Sequence, residues 1–192
     1  MAAPQLSDRL LTAEEFFELP DPPAGGKMEL ICGKVVRHMP VSRQHAKATV
    51  FLIERLGPFV RRAVIGELLT EAGHLIRRNP DVVLAPDISF VANDRIPAGG
   101  LPDDGFIPIV PTLAIEVVSP NDLDSEIAAK VEDYLAAGVE RVWVVRPKQR
   151  TVTVYHAGGS SHVVGAGGAV TSDDAGFAVA GFELKLDELF AD

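Results

Sequence analysis

Two short apolar segments, each with a single carboxylate, constrain the fold of this chain more than any other feature. They are Pro86-Asp-Ile-Ser-Phe-Val91 and Leu113-Ala-Ile-Glu-Val-Val118, and both are rich in strand-forming residues. Because side chains alternate along a strand, Asp87 and Glu116 each share a face with small or apolar neighbours. A carboxylate buried there without a partner costs several kcal/mol, or its pKa rises strongly. The chain must therefore provide partners for both acids.

The residue types leave two interpretations of these acids open. If the two segments converge, their carboxylates form a site for a hard divalent cation, which prefers oxygen ligands. In the alternative, each acid lies at a strand end, where it is solvated or paired with an arginine such as Arg95 or Arg141.

Lys130 is the cation whose placement favours the first interpretation. At about 100° per residue, the helix that follows the second segment has an apolar stripe that includes Ile127, Val131 and Tyr134. Lys130 lies on the flank of this stripe, so its ammonium can lean over the edge of a sheet. The alternative is a surface pair between Glu126 and Lys130, worth about 0.2–0.5 kcal/mol.

The N-terminal third of the chain contains two predicted helices. Thr12-Ala-Glu-Glu15 is a capping box that begins a short helix, which ends before Pro20. Ser42 is expected to cap a long helix that reaches about Ala63. Pro58 is expected to kink that helix or to end it early.

Most of the remaining pattern is extended. Pro86 predicts an edge strand or a break between two short strands. Asn121 or Asp124 is expected to cap the helix that ends at Gly138, and residues 158–168 are turn-rich. The order of helices and strands predicts an α/β (α+β) fold with a central mixed sheet flanked by helices. The predicted strands are 28–36 with a turn near Gly33, a stretch after Gly66, 82–91, 113–118, 142–145 and 151–155.

The charge of the chain is unevenly distributed. A formal net charge of −9 argues against indiscriminate binding to nucleic acid. Between Lys27 and Arg78, however, ten basic residues outnumber four acids, a net +6, and the rest of the chain carries −15. This positive segment either contacts a phosphate backbone or forms a solvated helix face.

Length and composition predict a single domain over residues 1–192, with residues 1–26 as an N-terminal helical extension and residues 93–111 as a Pro/Gly-rich loop. Cys32 is the only cysteine, which excludes an internal disulfide. No apolar run approaches the roughly 20 residues that span a bilayer. We therefore predict a cytoplasmic protein without membrane contact.

Taken together, these motifs resemble the PD-(D/E)XK nuclease superfamily and, more narrowly, the bacterial Uma-two family of restriction endonucleases. The resemblance extends over roughly residues 10 to 190 and implies a restriction-endonuclease-like core. The matching stretches are Met28-Glu-Leu-Ile-Cys-Gly-Lys-Val35, Ser42-Arg-Gln-His45, Ala85-Pro-Asp-Ile-Ser-Phe-Val91, and Leu113-Ala-Ile-Glu-Val-Val-Ser-Pro120 continuing through Lys130, Tyr134, Gly138-Val139 and Val142-Trp-Val-Val145.

The resemblance also implies which residues are catalytic. In the superfamily a lysine usually stands two residues after the glutamate, but this sequence has Val118 there. The resemblance implies that Lys130, from the following helix, replaces it. Glu29 matches an additional acidic position, and His45 is expected to approach the same cleft. The full catalytic set is Asp87, Glu116, Lys130, Glu29 and His45.

The function that follows is metal-dependent hydrolysis of phosphodiester bonds in DNA. Mg²⁺ or Mn²⁺ would be held by Asp87, Glu116 and the carbonyl oxygen of Val117, and Lys130 would orient the attacking water. No organic cofactor is expected, and a homodimer is compatible with cutting two strands. The alternative function is a non-catalytic nuclease-fold module that binds DNA or a protein partner. The residues expected to contact DNA phosphates are Arg43, Lys47, Arg61 and Arg62.

The other histidines are expected to have no chemical role, because His38, His74, His156 and His162 lack the sequence spacing of metal ligands. The chain also contains neither a Gly-x-x-x-x-Gly-Lys-Ser/Thr phosphate loop nor a Gly-x-Ser-x-Gly elbow. Their absence argues against a P-loop nucleotidase and an α/β-hydrolase.

Overall fold

Strands are the main elements of the structure, a computed structural model that describes residues 9–22 and 25–191. In this part of the chain, no helix is both long and apolar enough to cross a membrane. The helices are Ala13–Phe17 (α1), Arg43–Ala63 (α2), Asp124–Ala136 (α3) and Leu186–Leu189 (α4). The strands are Met28–Ile31 (β1), Lys34–Arg37 (β2), Gly66–Leu69 (β3), His74–Arg77 (β4), Val82–Leu84 (β5), Ile88–Ala92 (β6), Leu113–Val117 (β7), Arg141–Arg146 (β8), Thr151–His156 (β9), Ser161–Val164 (β10), Ala169–Thr171 (β11) and Glu183–Lys185 (β12).

A six-stranded sheet with the strand order β10-β9-β8-β7-β6-β3 forms the centre of the fold. Its neighbouring strands are antiparallel except for β7 and β8, which are parallel and are connected through α3. A parallel pair requires such a crossover. A second sheet has the order β2-β1-β5-β4, and β11 pairs with β12. The predicted mixed sheet with flanking helices is therefore confirmed.

The two long helices cover opposite faces of the six-stranded sheet. Leu56 of α2 belongs to the same core cluster as Ile115 and Trp143. Val131 of α3 packs in the other cluster with Ala114. Since both faces of the central strands are buried, their sequences are apolar almost throughout. Strand alternation places Glu116 on the face that α3 covers.

The register of β6 and β7 brings the two strand acids together. These strands are antiparallel, with Ile88 opposite Ile115. Asp87 immediately precedes β6 and therefore lies beside Glu116, one position further along β7. Pro86 separates β5 from β6, which was one of its two predicted roles. The edge-strand alternative is wrong, because β6 lies between β3 and β7.

The predicted helix caps are largely confirmed. Thr12 and Glu15 form the reciprocal capping box of α1, and the Ser42 hydroxyl accepts a hydrogen bond from the His45 amide at the start of α2. Gly138 follows α3 with φ of 94°, a left-handed conformation that glycine adopts without steric cost.

Two other local predictions were wrong. Of the two effects expected of Pro58, the early end is wrong: α2 continues to Ala63, as predicted, because buried Leu56 and Phe59 on either side of Pro58 hold it to the sheet. The N-cap of α3 is Leu123, without a side-chain hydrogen bond, so neither Asn121 nor Asp124 caps it. Residues 158–168 contain the predicted turns, and between these turns lies β10, which was not predicted and pairs antiparallel with β9.

Candidate active site

Asp87 is a buried carboxylate with a donor on each side. Its Oδ2 accepts a hydrogen bond from the Val117 amide at 2.7 Å and lies 3.0 Å from His45 Nε2. Its Oδ1 accepts from the Lys27 ammonium at 3.1 Å. Lys27 also donates to the Ala85 carbonyl at 2.7 Å, which fixes the ammonium. Asp87 is thus held in one orientation between a lysine and an imidazole.

His45 reaches Asp87 from the first turn of α2. The Ser42 cap fixes this turn through a 3.2 Å hydrogen bond from the His45 amide. Because an ionised carboxylate only accepts hydrogen bonds, His45 Nε2 is the donor of this pair, and in a neutral imidazole Nδ1 then keeps its lone pair. Nδ1 is buried and has no hydrogen-bond partner among the described residues.

Lys130 bridges two acids from different sheets. Its Nζ lies 3.2 Å from Glu116 Oε2 and 3.0 Å from Glu29 Oε1. The Tyr134 hydroxyl, one helical turn further along α3, donates to Glu116 Oε1 at 2.8 Å. Lys130 is only 6% exposed. It contacts the two buried acids rather than Glu126, so the surface-pair alternative is wrong.

Glu29 is fully buried and completes the cluster from β1. Its Oε1 accepts a hydrogen bond from the Ala85 amide at 2.9 Å. Its Oε2 lies 2.6 Å from His38 Nε2 and 2.9 Å from Lys130 Nζ. A carboxylate at this depth is stable only because cations and an amide surround it.

The environments of the acids push their pKa values apart. Burial raises the pKa of Glu116, more than the nearby Lys130 and Lys27 lower it. Burial has the same tendency at Asp87, but His45 and Lys27 hold the pKa of that carboxyl well below its usual range. Divergent pKa values in neighbouring carboxyls are typical of acid–base sites.

Glu29 and Lys130 are both charged at neutral pH. Burial alone would raise the pKa of Glu29, but His38, Lys130 and Lys27 lower it to about 2. Burial alone would lower the pKa of Lys130, but Glu116 and Glu29 raise it above its ordinary value. The bridging group is therefore an ammonium.

The arginines that sequence offered as alternative partners lie elsewhere. Arg95 pairs with Glu140 at 2.7 Å, and Arg141 Nη2 lies 3.6 Å from Asp173. The strand acids are paired with lysines instead.

Two residues of the cluster, Lys27 and His38, were not identified from the sequence. The sequence predicted no chemical role for His38, which in the structure contacts Glu29 and so belongs to the cluster. The sequence did contain a signal for both residues, because the predicted hairpin around Gly33 places His38 opposite Lys27. In the structure the His38 amide donates to the Lys27 carbonyl. In such a hairpin Lys27, Glu29 and His38 share one face. His74, by contrast, is buried, and its ring nitrogens pair with the Ile109 carbonyl and the Ser89 hydroxyl.

Asp87 and Glu116 line a small cavity of about 50 Å³ that also includes His45 and Ser119. Ser119 Oγ and His45 Nδ1 are buried there without partners among the described residues. A polar occupant would satisfy both atoms. Two carboxylates with water are a usual ligand set for Mg²⁺, so the donor chemistry fits a hard divalent cation. Val117 could add its carbonyl, since the N–H and C=O of one strand residue project to the same edge.

The basic residues expected to contact DNA fall into two groups. Arg43 and Lys47, near the start of α2, line a cavity of about 440 Å³ together with Lys148 and Arg150. Arg61 and Arg62 lie in the last turn of α2, roughly 25 Å further along the helix at 1.5 Å per residue. Sequence reasoning missed Lys148 and Arg150, although they lie in an evident turn after β8.

Comparison with known proteins supports the resemblance. The Uma2 (Uma-two) family, described as “Putative restriction endonuclease”, matches residues 13–186. The chain belongs to the Uma2 family. No curated protein matches it. In this Uma2 chain the ammonium near Glu116 comes from α3 and not from the strand, where Val118 stands.

A solved structure supports the fold of the Uma2 chain. It is titled “Crystal structure of a putative nuclease belonging to DUF820” and comes from Anabaena variabilis ATCC 29413. The two chains superpose with a TM-score of 0.76 at 23% sequence identity, over 94% of this chain and 98% of the other. At this identity the likeness establishes a shared fold.

Proposed function

We propose that this Uma2 chain is a metal-dependent endonuclease that hydrolyses phosphodiester bonds in DNA. One observation carries the proposal: Asp87 and Glu116 line one cavity, and the Lys130 ammonium lies 3.2 Å from Glu116. A carboxylate pair with an adjacent buried ammonium suits a reaction that develops negative charge on phosphate oxygens.

Asp87, Glu116 and the Val117 carbonyl would hold the divalent cation, Mg²⁺ or Mn²⁺. When bound, such a cation offsets charge on the scissile phosphate and makes a water molecule easier to deprotonate. Lys130, held between Glu116 and Glu29, would orient the attacking water and stabilise the extra charge of the transition state. Glu29 would keep the ammonium in place.

His45 would accept the proton of the attacking water. When the neutral imidazole donates from Nε2 to Asp87, 3.0 Å away, its Nδ1 lone pair is free. An imidazole oriented by a carboxylate in this way is a common general base. The oxygen of this water would bond to phosphorus as one phosphorus–oxygen ester bond breaks, and the leaving oxygen would take up a proton.

Phosphates of the substrate would follow a continuous surface from the cavity to the basic residues. The small cavity shares Ser119 and Asp122 with an adjoining one of about 180 Å³. That second cavity in turn shares Gln44 and Lys148 with the basic cavity lined by Arg43. The path ends on side chains that contact phosphates without reading sequence.

A non-catalytic role in binding DNA or a protein partner is the second candidate. It is favoured by the pairing of Asp87 with Lys27 and of Glu116 with Lys130, because these ammoniums compete with a cation for the same oxygens. A cavity of about 50 Å³ also has to widen before a phosphodiester can enter.

The test is a cleavage assay on supercoiled plasmid and single-stranded DNA with Mg²⁺, Mn²⁺ or chelator. We expect the wild type to cut only with metal, and Asp87→Asn and Glu116→Gln each to lose activity by about 10²-fold or more. Asp94→Asn is the matched control, because Asp94 is an exposed acid just beyond the other end of the same strand. Circular dichroism would show that each variant is folded.

The outcomes separate the two candidates. Metal-dependent cleavage that Asp87→Asn abolishes supports the nuclease. Retention of DNA in a gel-shift assay without cleavage under any metal supports the binding module. Cleavage that is equal in wild type and Asp87→Asn would reject this site as the origin of the activity.

A further inference from the structure

A second cluster of ligand side chains lies at the edge of the six-stranded sheet. His156 ends β9, and His162 lies in the edge strand β10. Because His162 is opposite Val154, both histidines lie on the same face of the sheet. Asp174, from the loop between β11 and β12, approaches this face.

The three side chains form a continuous chain of polar contacts. His156 Nε2 lies 3.3 Å from His162 Nδ1. His162 Nε2 lies 3.1 Å from Asp174 Oδ1. Each of the three residues contributes one potential ligand atom, and these three atoms all lie within 4.8 Å of one another. The sequence spacing of His156 and His162 predicted no metal site, but strand pairing brings the two side chains together.

Hydrogen bonds within the protein hold Asp174 in one orientation. Its Oδ2 accepts hydrogen bonds from the Thr171 amide at 2.8 Å and the Thr171 hydroxyl at 2.9 Å. Its carbonyl accepts from the indole N–H of buried Trp143 at 2.7 Å. Only Oδ1 remains to face His162, so the carboxylate sets the orientation of that imidazole.

We propose that His156 and His162 bind a first-row transition-metal dication such as Zn²⁺, with Asp174 as the carboxylate that orients His162. With metal–nitrogen bonds of about 2.0–2.1 Å, a tetrahedral ion separates two ligand nitrogens by roughly 3.3 Å. This is the separation of His156 Nε2 and His162 Nδ1. When His162 Nε2–H donates to Asp174, Nδ1 offers its lone pair to the metal.

The chemistry of the site distinguishes it from the candidate active site. Imidazole nitrogens favour Zn²⁺, Cu²⁺ or Ni²⁺, whereas Mg²⁺ prefers oxygen ligands. The His162 side chain is 46% exposed, so a metal can enter from solvent and water can fill the remaining positions. The bound ion would join β9 to the edge strand β10, which stabilises a sheet edge. The inference does not depend on nuclease activity.

The experiment is a calorimetric titration of Zn²⁺ into the full chain, with Mg²⁺ as the comparison. We expect one tight Zn²⁺ site in the wild type, and affinity at least tenfold weaker in His156→Ala and in His162→Ala. The double variant Asp87→Asn/Glu116→Gln is the control, because it alters the other candidate metal site and should keep this one. A saturating excess of Zn²⁺ should raise Tm of the wild type by about 5 °C, and less in His162→Ala.

Each outcome of the titration either supports or overturns the proposal. Loss of Zn²⁺ binding in the histidine variants, with retention in the acid double variant, supports it. Absence of a tight Zn²⁺ site, or unchanged affinity in His156→Ala and His162→Ala, overturns it and leaves a hydrogen-bonded chain from Asp174 to His156. Both histidines are partly exposed, so their substitution is compatible with folding, which circular dichroism would verify.

Discussion

The Lys130 ammonium contacts Glu29 at 3.0 Å, and this pair joins α3 to β1. Glu29 belongs to the four-stranded sheet, whereas α3 covers the six-stranded sheet that carries Glu116. The candidate active site therefore forms only where the two sheets meet. Its charges contribute to how the sheets are held together as well as to any chemistry.

Substitution of Lys130 by methionine should destabilise the protein strongly. The change leaves Glu29 and Glu116 buried without the ammonium that they share, and loss of one partner of a buried pair costs about 3–5 kcal/mol. The measurement is the free energy of unfolding in urea. Lys34→Met, at an exposed position of β2, should change that free energy by no more than about 0.5 kcal/mol. Equal stability of the two variants would contradict the role of Lys130.

The apolar background of the two strand segments, whose period reveals their faces, singled out Asp87 and Glu116 as candidates, and the family resemblance added Lys130. The sequence was not sufficient for Lys27, whose contact with Asp87 joins segments of two different sheets. His38 contacts Glu29 within the β1–β2 hairpin, but it lacks the sequence spacing of a metal ligand and was not singled out. Periodicity specifies which side chains share a face of one element. It does not specify which elements become neighbours. The residues that face each other across two neighbouring strands are set by the hydrogen-bond register, which forms only when the chain folds.

The same limit explains the other differences between the sequence-based predictions and the structure. Lys148 and Arg150 join Arg43 only because the turn after β8 ends near the start of α2. His156 and His162 approach each other because β9 and β10 form a hairpin, whose second strand was not predicted from the turn-rich sequence of residues 158–168. Pro58 is tolerated within α2 because tertiary packing outweighs local propensity.

The buried acids should make stability depend on pH in the acid range. Asp87 and Glu29 have pKa values in the folded protein below their ordinary values of 3.8 and 4.5. Their contribution is therefore complete above about pH 4.5 and is lost as pH falls towards 2. Glu116, whose pKa is raised, acts in the opposite direction and offsets part of this loss.

The measurement is the urea midpoint between about pH 7 and pH 3, in the wild type and in Glu29→Gln. The wild-type midpoint should fall below about pH 4.5, and the variant should show a shallower dependence. Parallel curves for the two proteins would show that Glu29 does not contribute to the pH dependence.

Removal of the α2 cap should affect both stability and the candidate chemistry. Ser42→Ala leaves the His45 amide without its acceptor, which typically costs about 1 kcal/mol. Because the same turn positions the His45 imidazole against Asp87, cleavage should also fall, but less than in His45→Gln. The measurement is urea unfolding together with plasmid cleavage. Ser160→Ala, at an exposed loop position, should change neither.

The basic cavity makes a prediction about the salt dependence of DNA binding. Each phosphate contact contributes about 0.9 to the slope of log affinity against log salt concentration. Lys148→Gln/Arg150→Gln should therefore lower the slope by about 2 and weaken binding similarly for all sequences. The measurement is fluorescence anisotropy with a labelled duplex, in an Asp87→Asn background that prevents cutting.

Arg61→Gln/Arg62→Gln is the matched double variant at the far end of α2. If phosphates follow the surface that leads from Ser119 to Lys148, its slope should change less. An unchanged slope in Lys148→Gln/Arg150→Gln would exclude that path.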